Sequence, residues 1–191
     1  MLICFDLGEV LVRVQPNWSV ALNLQVTEGD WSDLERAHQT GLIDREDFLV
    51  GMSRRLEVPV EAVAAAHDGW ILGEMKGAVS LLAELQAAGH LTACLSNTCD
   101  CHWRVMKKWP IFRHLNHVYA SHLLGAFKPE PSIYRAFSAD IGIADDEIVF
   151  FDDRLLNVEA AASLGWQAIH LPVGADPVPR IRQALGASGL I

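Results

Sequence analysis

The sequence predicts an α/β protein: a parallel five-stranded sheet flanked by helices, with a small helical lobe inserted into it. Three observations carry the prediction. Five short runs are apolar on both faces and end at polar or glycine positions, as strands inside a parallel sheet do. Helical segments closed by glycine alternate with those runs. Residues 16–74 break the alternation and are helical in pattern throughout. With 191 residues, of which 51% are hydrophobic, the chain can fill one sizeable core plus a small extra lobe.

The strand-like runs are Leu2 to Leu7, Leu91 to Ser96, His117 to Ala120, Ile148 to Phe151 and Ala168 to Leu171. Between them, GAVSLLAELQAAG closes on Gly89, PEPSIYRAFSADIG opens on prolines and closes on Gly142, and LLNVEAAASLG closes on Gly165. Proline suits a helix's first turn because its φ is already fixed there, and glycine suits the residue past the last turn. In the inserted stretch, WSDLERAHQTG, DREDFLVGMSRRLEV and PVEAVAAAHDGWIL place apolar residues at helix spacing, and nothing reads as a strand. The organisation expected is a core of residues 1–15 and 75–191 with a lobe of residues 16–74. The lobe leaves the chain within a few residues of the first strand's carboxyl end, where open α/β sheets bind ligands, so a lid is its expected role. The tail from Pro172 to Ile191 fits either an edge closure or a homodimer contact.

A net charge of -9 and a pI near 5.3 argue against nucleic acid or an anionic membrane as partner, since the whole-molecule field repels phosphate backbones. A small phosphorylated metabolite can still bind, because local groups decide there. The chain opens on the strand-like LICFDL with no basic leader, and no run approaches a membrane span, so a cytoplasmic protein is expected. Cys4 and Cys94 lie in apolar runs, and Cys99 and Cys101 stand close together in TCDCHW; no disulfide framework emerges and all four are read as reduced thiols. Cys99, Cys101 and His102 offer one side of a metal site without a second pair at zinc-finger spacing.

The chemistry lies at the ends of the runs. Asp6 ends the first, Ser96 the second, and Asp152-Asp153 the fourth, while Lys128 sits in GAFKPEPSIY. Carboxylates gathered at strand tips repel one another without a cation, and an oxygen-rich shell is what Mg2+ takes. Ser96 and the backbone around Asn97 can hold phosphoryl oxygens. Lys128 precedes Pro129, which opens a helix, so its ammonium can reach back over the strand tips. The order Asp, Ser, Lys, Asp-Asp is what a magnesium-dependent phosphoryl-transfer site requires. Singly, each has a plainer reading: an aspartate after an apolar run often caps a turn, SNT is an ordinary turn, and most lysines are solvated.

FDLGEVL, LSNT, KPEPSIY and VFFDD with Asn157 resemble the four signature motifs of the haloacid dehalogenase-like hydrolases, in order and spacing, across nearly the whole chain. The DLG opening, GLIDREDF, HDGW, LSNT and FFDD are similar to the bacterial sugar-phosphate phosphatases of that superfamily, the alpha-D-glucose-1-phosphate phosphatases among them. The resemblance implies a Rossmann-like core, a helical cap, Mg2+ dependence and an aspartyl-phosphate intermediate. It implies Asp6 as nucleophile and metal ligand, Asp153 as direct metal ligand, and Asp152 as holder of a metal-bound water or of Lys128. Ser96 and Asn97 would bind phosphate, Lys128 would neutralise charge on the phosphate and on Asp6, and Asn157 would support them. The reaction expected is hydrolysis of a small phosphate monoester, with an anomeric sugar phosphate favoured.

One departure matters. Most phosphatases of the group carry a second aspartate two residues after the nucleophile, which protonates the leaving alcohol and then activates water; this chain has Gly8. Its carbonyl can still face Mg2+, as that position does in the family, so proton transfer is the open step. Either the leaving group needs little protonation, as with a hemiacetal oxygen, or Glu9, His67 or Asp68 supplies the proton. The non-enzymatic rival is a protein that binds a phospho-ligand or partner without turnover, against which the retained Asp6, Lys128 and Asp153 count. A haloacid dehalogenase is opposed by the Asp152-Asp153 pair, and a phosphonate-cleaving enzyme by the lack of a lobe lysine other than Lys76 at its edge. His114, His117 and His122 are read as surface or loop residues. Trp18, Trp31 and Trp70 are read as core first, with Trp70 the best placed to stack on a sugar ring.

Overall fold

The computed structural model describes residues 1–23 and 31–191. Strand β1 (Leu2–Phe5) is followed by β2 (Val12–Val14), helices α1 (Trp18–Leu22), α2 (Ser32–Gln39), α3 (Arg45–Leu56) and α4 (Val60–Asp68), and strand β3 (Ile71–Glu74). The chain then alternates through α5 (Ala78–Ala87), β4 (Leu91–Ser96), α6 (Asp100–Met106), β5 (His117–Ala120), α7 (Ser121–Leu124), α8 (Pro131–Ile141), β6 (Ile148–Asp152), α9 (Leu155–Ser163), β7 (Gln167–His170) and α10 (Pro177–Ala187). Five strands form one parallel sheet in the order β5-β4-β1-β6-β7, the class of fold the sequence predicts.

The three central strands, β4, β1 and β6, are buried on both faces, and this is why they read as continuous apolar runs. Ile3, Phe5, Cys94, Val149 and Phe151 point into a core layer shared with α5, α6 and α10. Leu2, Cys4, Leu95, Ile148 and Phe150 point the other way, against Ile133, Tyr134 and Phe137 of α8 and Trp166. Phe5 and Phe151 stack across β1 and β6 with ring centroids 5.5 Å apart, fixing the register of the two central strands just below their polar tips.

That register decides where the site lies. Phe5 is level with Phe151 on one side and with Cys94 on the other, so Asp6 emerges beside Asp152 and close to Ser96. The chain crosses from β1 to β4 on one side and reaches β6 on the other, so the tips of these strands bound the crevice in which open parallel sheets bind ligands.

Helices α1 to α4 carry a core of their own, Trp18, Phe48, Leu49, Met52, Val63 and Ala66. Asp44 caps α3 by accepting from Asp47 N at 2.8 Å, and Asn17 caps α1 by accepting from Val20 N at 2.9 Å. The two ends of this helical segment are tied together: β2 pairs with β3 antiparallel, Gln15 N donates to Trp70 O, and Met75 N donates to Leu11 O. Residues 71–74 therefore form a strand where the sequence reads as helix. The helix ends at Asp68 with Gly69 as its C-cap, and Gly73 adopts φ +128°, outside any helix. Among the described residues no helix is long and apolar enough to cross a membrane.

Because the Phe5–Phe151 stack sets the strand tips, Phe151→Ala is expected to cost about 3–5 kcal/mol of unfolding free energy. Urea denaturation measures it, and a loss under about 1 kcal/mol would show that the stack does not hold the sheet centre.

Candidate active site

Asp6, Lys128, Asp152 and Asp153 meet at the tips of β1 and β6. Asp6 is held by its backbone N–H donating to Phe151 O at 2.8 Å. Lys128, 1% exposed, comes from the loop before α8 and lies under the strand tips, with its ammonium 5.2 Å from the Phe150 ring centroid. Its Nζ is 2.6 Å from Asp152 Oδ2 and 3.0 Å from Asp6 Oδ1. The first contact is a directed hydrogen bond; the second is an ion pair without hydrogen-bond geometry, which leaves Asp6 Oδ1 buried with no donor aimed at it. Asp152 is saturated: Oδ1 also accepts from Arg154 N at 2.8 Å, and the Asn157 amide bridges both oxygens at 2.9 and 3.0 Å. Asn157 is held in turn by Tyr134, whose hydroxyl donates to its carbonyl at 2.9 Å.

The backbone of Lys128 is fixed by Asn97. The Asn97 amide donates to Lys128 O and its carbonyl accepts from Lys128 N, both at 2.9 Å. Asn97 thus binds the lysine loop with its side chain, while Ser96, Asn97 and Thr98 line the cavity above the carboxylates. Thr98 N donates to Ser121 Oγ at 2.9 Å, and Ser121 Oγ donates to Gln39 O, which joins this loop to α2.

Electrostatics follow from burial. Asp6 is raised above the ordinary carboxylate range chiefly because it is buried, with Lys128 opposing and Asp152 adding to the rise. Asp153 is pushed up to about 7, by burial first and then by the charges of Asp6 and Asp152. Burial alone would depress the Lys128 ammonium, but Asp152 and Asp6 outweigh it and hold it above its ordinary value. One oxygen from each of Asp6, Asp152 and Asp153 lies within 4.8 Å of the others. An all-oxygen donor set, mutually repelling, with one buried oxygen lacking a donor, fits a hard divalent cation such as Mg2+.

The cavity over these groups has a volume of about 230 Å³ and opens beside a larger cleft of about 660 Å³. Glu9, Val14, Glu35, Trp70, Asp153 and Arg154 line both. Of the tryptophans singled out in the sequence, Trp70 lines both spaces, Trp31 lines the outer cleft, and Trp18 is packed between Phe48 and Trp70. Glu9 sits at φ 55° and accepts from Val14 N at 3.2 Å. Two proton donors weighed from sequence are turned elsewhere: Asp68 is bidentate to Arg45, and His67 directs Nε2 at the thiols of Cys99 and Cys101.

Two charged cavity residues escaped the sequence reading. Glu35, on α2, accepts from Trp18 Nε1 at 2.6 Å and is raised from its ordinary pKa by burial, with Trp18 and Arg154 opposing. Arg154 follows the double aspartate and faces the same space. The pattern WSDLERAHQ marks Glu35 only as a polar helix position, and Arg154 only as the residue before a helix, so neither carries a sequence signal of its own.

Comparison with known proteins agrees with this geometry. The model of the haloacid dehalogenase-like hydrolase family matches residues 1–165. A sesquiterpene phosphatase of Aspergillus oryzae is 25% identical over 194 residues, covering 95% of this chain and 95% of its own. A D-ribitol-5-phosphate phosphatase of Bacteroides thetaiotaomicron is also 25% identical, covering 91% of this chain and 93% of its own. A magnesium complex of a HAD family enzyme from Bacteroides thetaiotaomicron superposes with a TM-score of 0.80 at 24% identity, over 94% of this chain and 97% of that one. With its parallel sheet, its acid-lysine cluster at the strand tips and a family match over most of its length, the chain belongs to the haloacid dehalogenase-like hydrolases.

Proposed function

We propose that the protein is a Mg2+-dependent phosphatase of a small phosphate monoester, acting through an aspartyl-phosphate on Asp6. The observation that carries the reading is the buried Asp6 oxygen, ion-paired to Lys128 yet free of any directed donor, at the floor of a cavity lined by Ser96, Asn97 and Asp153. The relatives named as phosphatases and the magnesium complex of the structural neighbour support it. Residues 16–74 are proposed as the cap.

Asp6, Asp153 and the carbonyl of Gly8 would hold the cation, with Asp152 behind them holding Lys128. When bound, Mg2+ supplies charge neutralisation for the carboxylates and the phosphate oxygens. Asp6 attacks phosphorus, the bond to the ester oxygen breaks, and water then displaces phosphate from the aspartyl group. Lys128 stabilises charge on the transferring group from a fixed position, because Asn97 and Asp152 have already oriented it. Ser96 and the N–H groups of the following loop hold the phosphoryl oxygens.

The leaving oxygen needs a proton when it is an ordinary alkoxide. Outside the Asp6-Asp152-Asp153 cluster, Glu35 is the cavity carboxyl that burial raises from its ordinary value, and it faces the site from the cap. The mixed lining of the outer cleft, with Trp31 and Trp70 beside Glu35 and Arg154, favours a sugar phosphate, whose ring stacks on indole while its hydroxyls bond to polar groups. A second reading has an observation of its own: Val14, Pro16, Trp18, Trp31, Trp70 and Val173 give the same cleft enough apolar wall for an isoprenoid alcohol phosphate.

Phosphate release from anomeric sugar phosphates, polyol phosphates and isoprenoid phosphates, with Mg2+ and with chelator, tests the class and ranks the substrates. Asp6→Asn is expected to lower kcat by about ten-thousand-fold. Ligand binding without release would move the assignment to a non-catalytic phospho-ligand protein, and metal-independent halide release to a dehalogenase.

Gly8 is not held at positive φ, and a Cβ there meets only Val14 methyls at 4.0 Å, so neither the backbone nor a Cβ bars the substitution Gly8→Asp. It is expected to raise kcat for esters of poor leaving alcohols and to leave anomeric esters nearly unchanged. Glu35→Gln is expected to lower turnover of poor leaving groups by about a hundredfold. Equal effects of Glu35→Gln on good and poor leaving groups would remove Glu35 from proton transfer.

Without metal, Asp153 at about 7 keeps its proton in the folded state over a pH range where the unfolded chain has lost it. The stability this gives is present in acid and is lost as pH rises through about 7. Since a cation binds the ionised form, the rise in Tm from saturating Mg2+ is expected to grow between about pH 5 and about pH 8. Differential scanning fluorimetry reads it, and an increment flat with pH would contradict the placement of Asp153 at the metal.

A further inference from the structure

A second cluster of metal-ligating groups lies where the helical segment meets the core, away from the carboxylates. His38, near the end of α2, and His67, in the last turn of α4, come from the helical segment. Cys99, the residue before α6, and Cys101, in its first turn, come from the loop that continues the Ser96-Asn97-Thr98 run. One ligand atom from each of the four lies within 4.8 Å of the others. His67 Nε2 is 3.9 Å from Cys99 Sγ and 3.8 Å from Cys101 Sγ, and His38 Nε2 is 3.8 Å from Cys101 Sγ. The two sulfurs are 3.1 Å apart, far beyond the ~2.05 Å of a disulfide bond, and both thiols are free. A tetrahedral zinc ion with bonds of ~2.3 Å to sulfur and ~2.0 Å to nitrogen separates its donors by about 3.3–3.8 Å, so small side-chain adjustments bring all four to one centre.

The imidazoles are oriented for this. His38 Nδ1 faces Ile43 O and His67 Nδ1 faces Asp68 Oδ1, each at 3.4 Å, so in both rings the acceptor draws the proton to Nδ1 and leaves the Nε2 lone pair toward the thiols. Asp68 is itself fixed by Arg45 at 2.7 and 2.8 Å. His38 stacks on Phe48 at 4.5 Å, and His67 stacks on His102 at 4.3 Å while His102 Nε2 contacts His67 O at 2.8 Å. Ring orientation, ring proton and burial are thus set before any ion arrives. The sequence offers Cys99, Cys101 and His102 as one side of a site. The fold keeps the two cysteines, uses His102 as support, and brings the missing pair from two helices.

We propose that His38, His67, Cys99 and Cys101 bind one borderline-soft divalent cation, of which Zn2+ is the type, in a closed four-ligand structural site. Two thiolates and two imidazoles select such an ion over Mg2+, which takes oxygen. Four protein ligands leave no open position for a reacting water, so the site's work is mechanical. It pins α2 and α4 to the loop two residues beyond Asn97 and holds the cap at a fixed distance from the phosphate-binding residues. The inference stands on its own side chains and does not depend on the phosphatase reading.

The test measures metal content of the untagged full-length protein after gel filtration, as purified and after incubation with Zn2+ followed by removal of unbound ion. About one zinc per chain is expected. Replacement by Co2+ is expected to give thiolate-to-cobalt charge-transfer absorption together with the intense visible bands of a tetrahedral site. Cys101→Ser and His38→Asn, each checked for folding by near-UV circular dichroism, are expected to lower retained zinc by about tenfold or more. If Cys101→Ser does not fold, His38→Asn with its altered cobalt spectrum decides. Asp6→Asn is expected to keep its zinc, so a failed phosphatase assay leaves this result untouched. Wild-type protein retaining under about a tenth of an equivalent after Zn2+ incubation overturns the proposal. So do both variants retaining zinc like the wild type, or a freshly purified chain lighter by two hydrogens from a Cys99–Cys101 disulfide.

Discussion

The buried ammonium of Lys128 is the constraint on which the rest of the site depends. An amine with 1% exposure is tolerable only between negative charges, and Asp152 and Asp6 supply them at 2.6 and 3.0 Å. Leaving such a charge unpaired costs about 3–5 kcal/mol, comparable with a large part of a domain's stability. The surrounding bonds serve that pairing: Asn97 fixes the lysine backbone, Asn157 and Arg154 N fill the remaining capacity of Asp152, and Tyr134 holds Asn157. The network is nonetheless unbalanced. Three carboxylates face one ammonium, and the excess falls on Asp6 and Asp153, the two whose pKa burial raises. The core satisfies its own lysine and leaves a deficit of positive charge on the side that faces the cavity.

This division explains why so much of the site is legible in the sequence. Asp6, Ser96 and Asp152 stand at the ends of strands that are apolar on both faces, so a reader who finds the strands finds the residues. The parallel register of β1 with β4 and β6 then brings them together with no further information. Lys128 is legible because Pro129 and Pro131 mark the helix start beside it. The β2–β3 ribbon is not legible: Val12–Val14 and Ile71–Glu74 are three and four residues long, and the second follows a helix whose apolar spacing runs on past Gly69. Glu35 and Arg154 are hidden for another reason. Each is a polar residue at an ordinary helix or cap position, and only the approach of α2 to the strand tips gives either a role.

The replacement of the usual second aspartate by Gly8 shifts attention from the core to the helical segment. Steric demand does not explain the glycine, since its φ is ordinary and a Cβ would have room. A carboxyl at that position would add a fourth negative group to a cluster already short of positive charge. Glu35 lies in a different environment: it is buried against Trp18, which donates to it at 2.6 Å, and Arg154 stands near enough to draw its pKa down. Among the described residues Glu35 shares no hydrogen bond with the Lys128 network, and Arg154, whose N–H holds Asp152, couples the two through its charge.

The position of Glu35 is set by the same helix that carries the contacts between the helical segment and residues 98–101. Glu35, His38 and Gln39 are three and four residues apart on α2, so they share one helix face. Gln39 O accepts from Ser121, which also bonds Thr98, and His38 reaches toward the Cys101 thiol in the first turn of α6. Any displacement of α2 that moves Glu35 relative to Asp6 must therefore stretch contacts to residues 98–101. A metal ion on His38, His67, Cys99 and Cys101 would stiffen that joint where it bears on the cavity. The loop of residues 96–101 and the Glu35 carboxyl would then move as one body, with the outer cleft beside Trp31 and Arg154 left open.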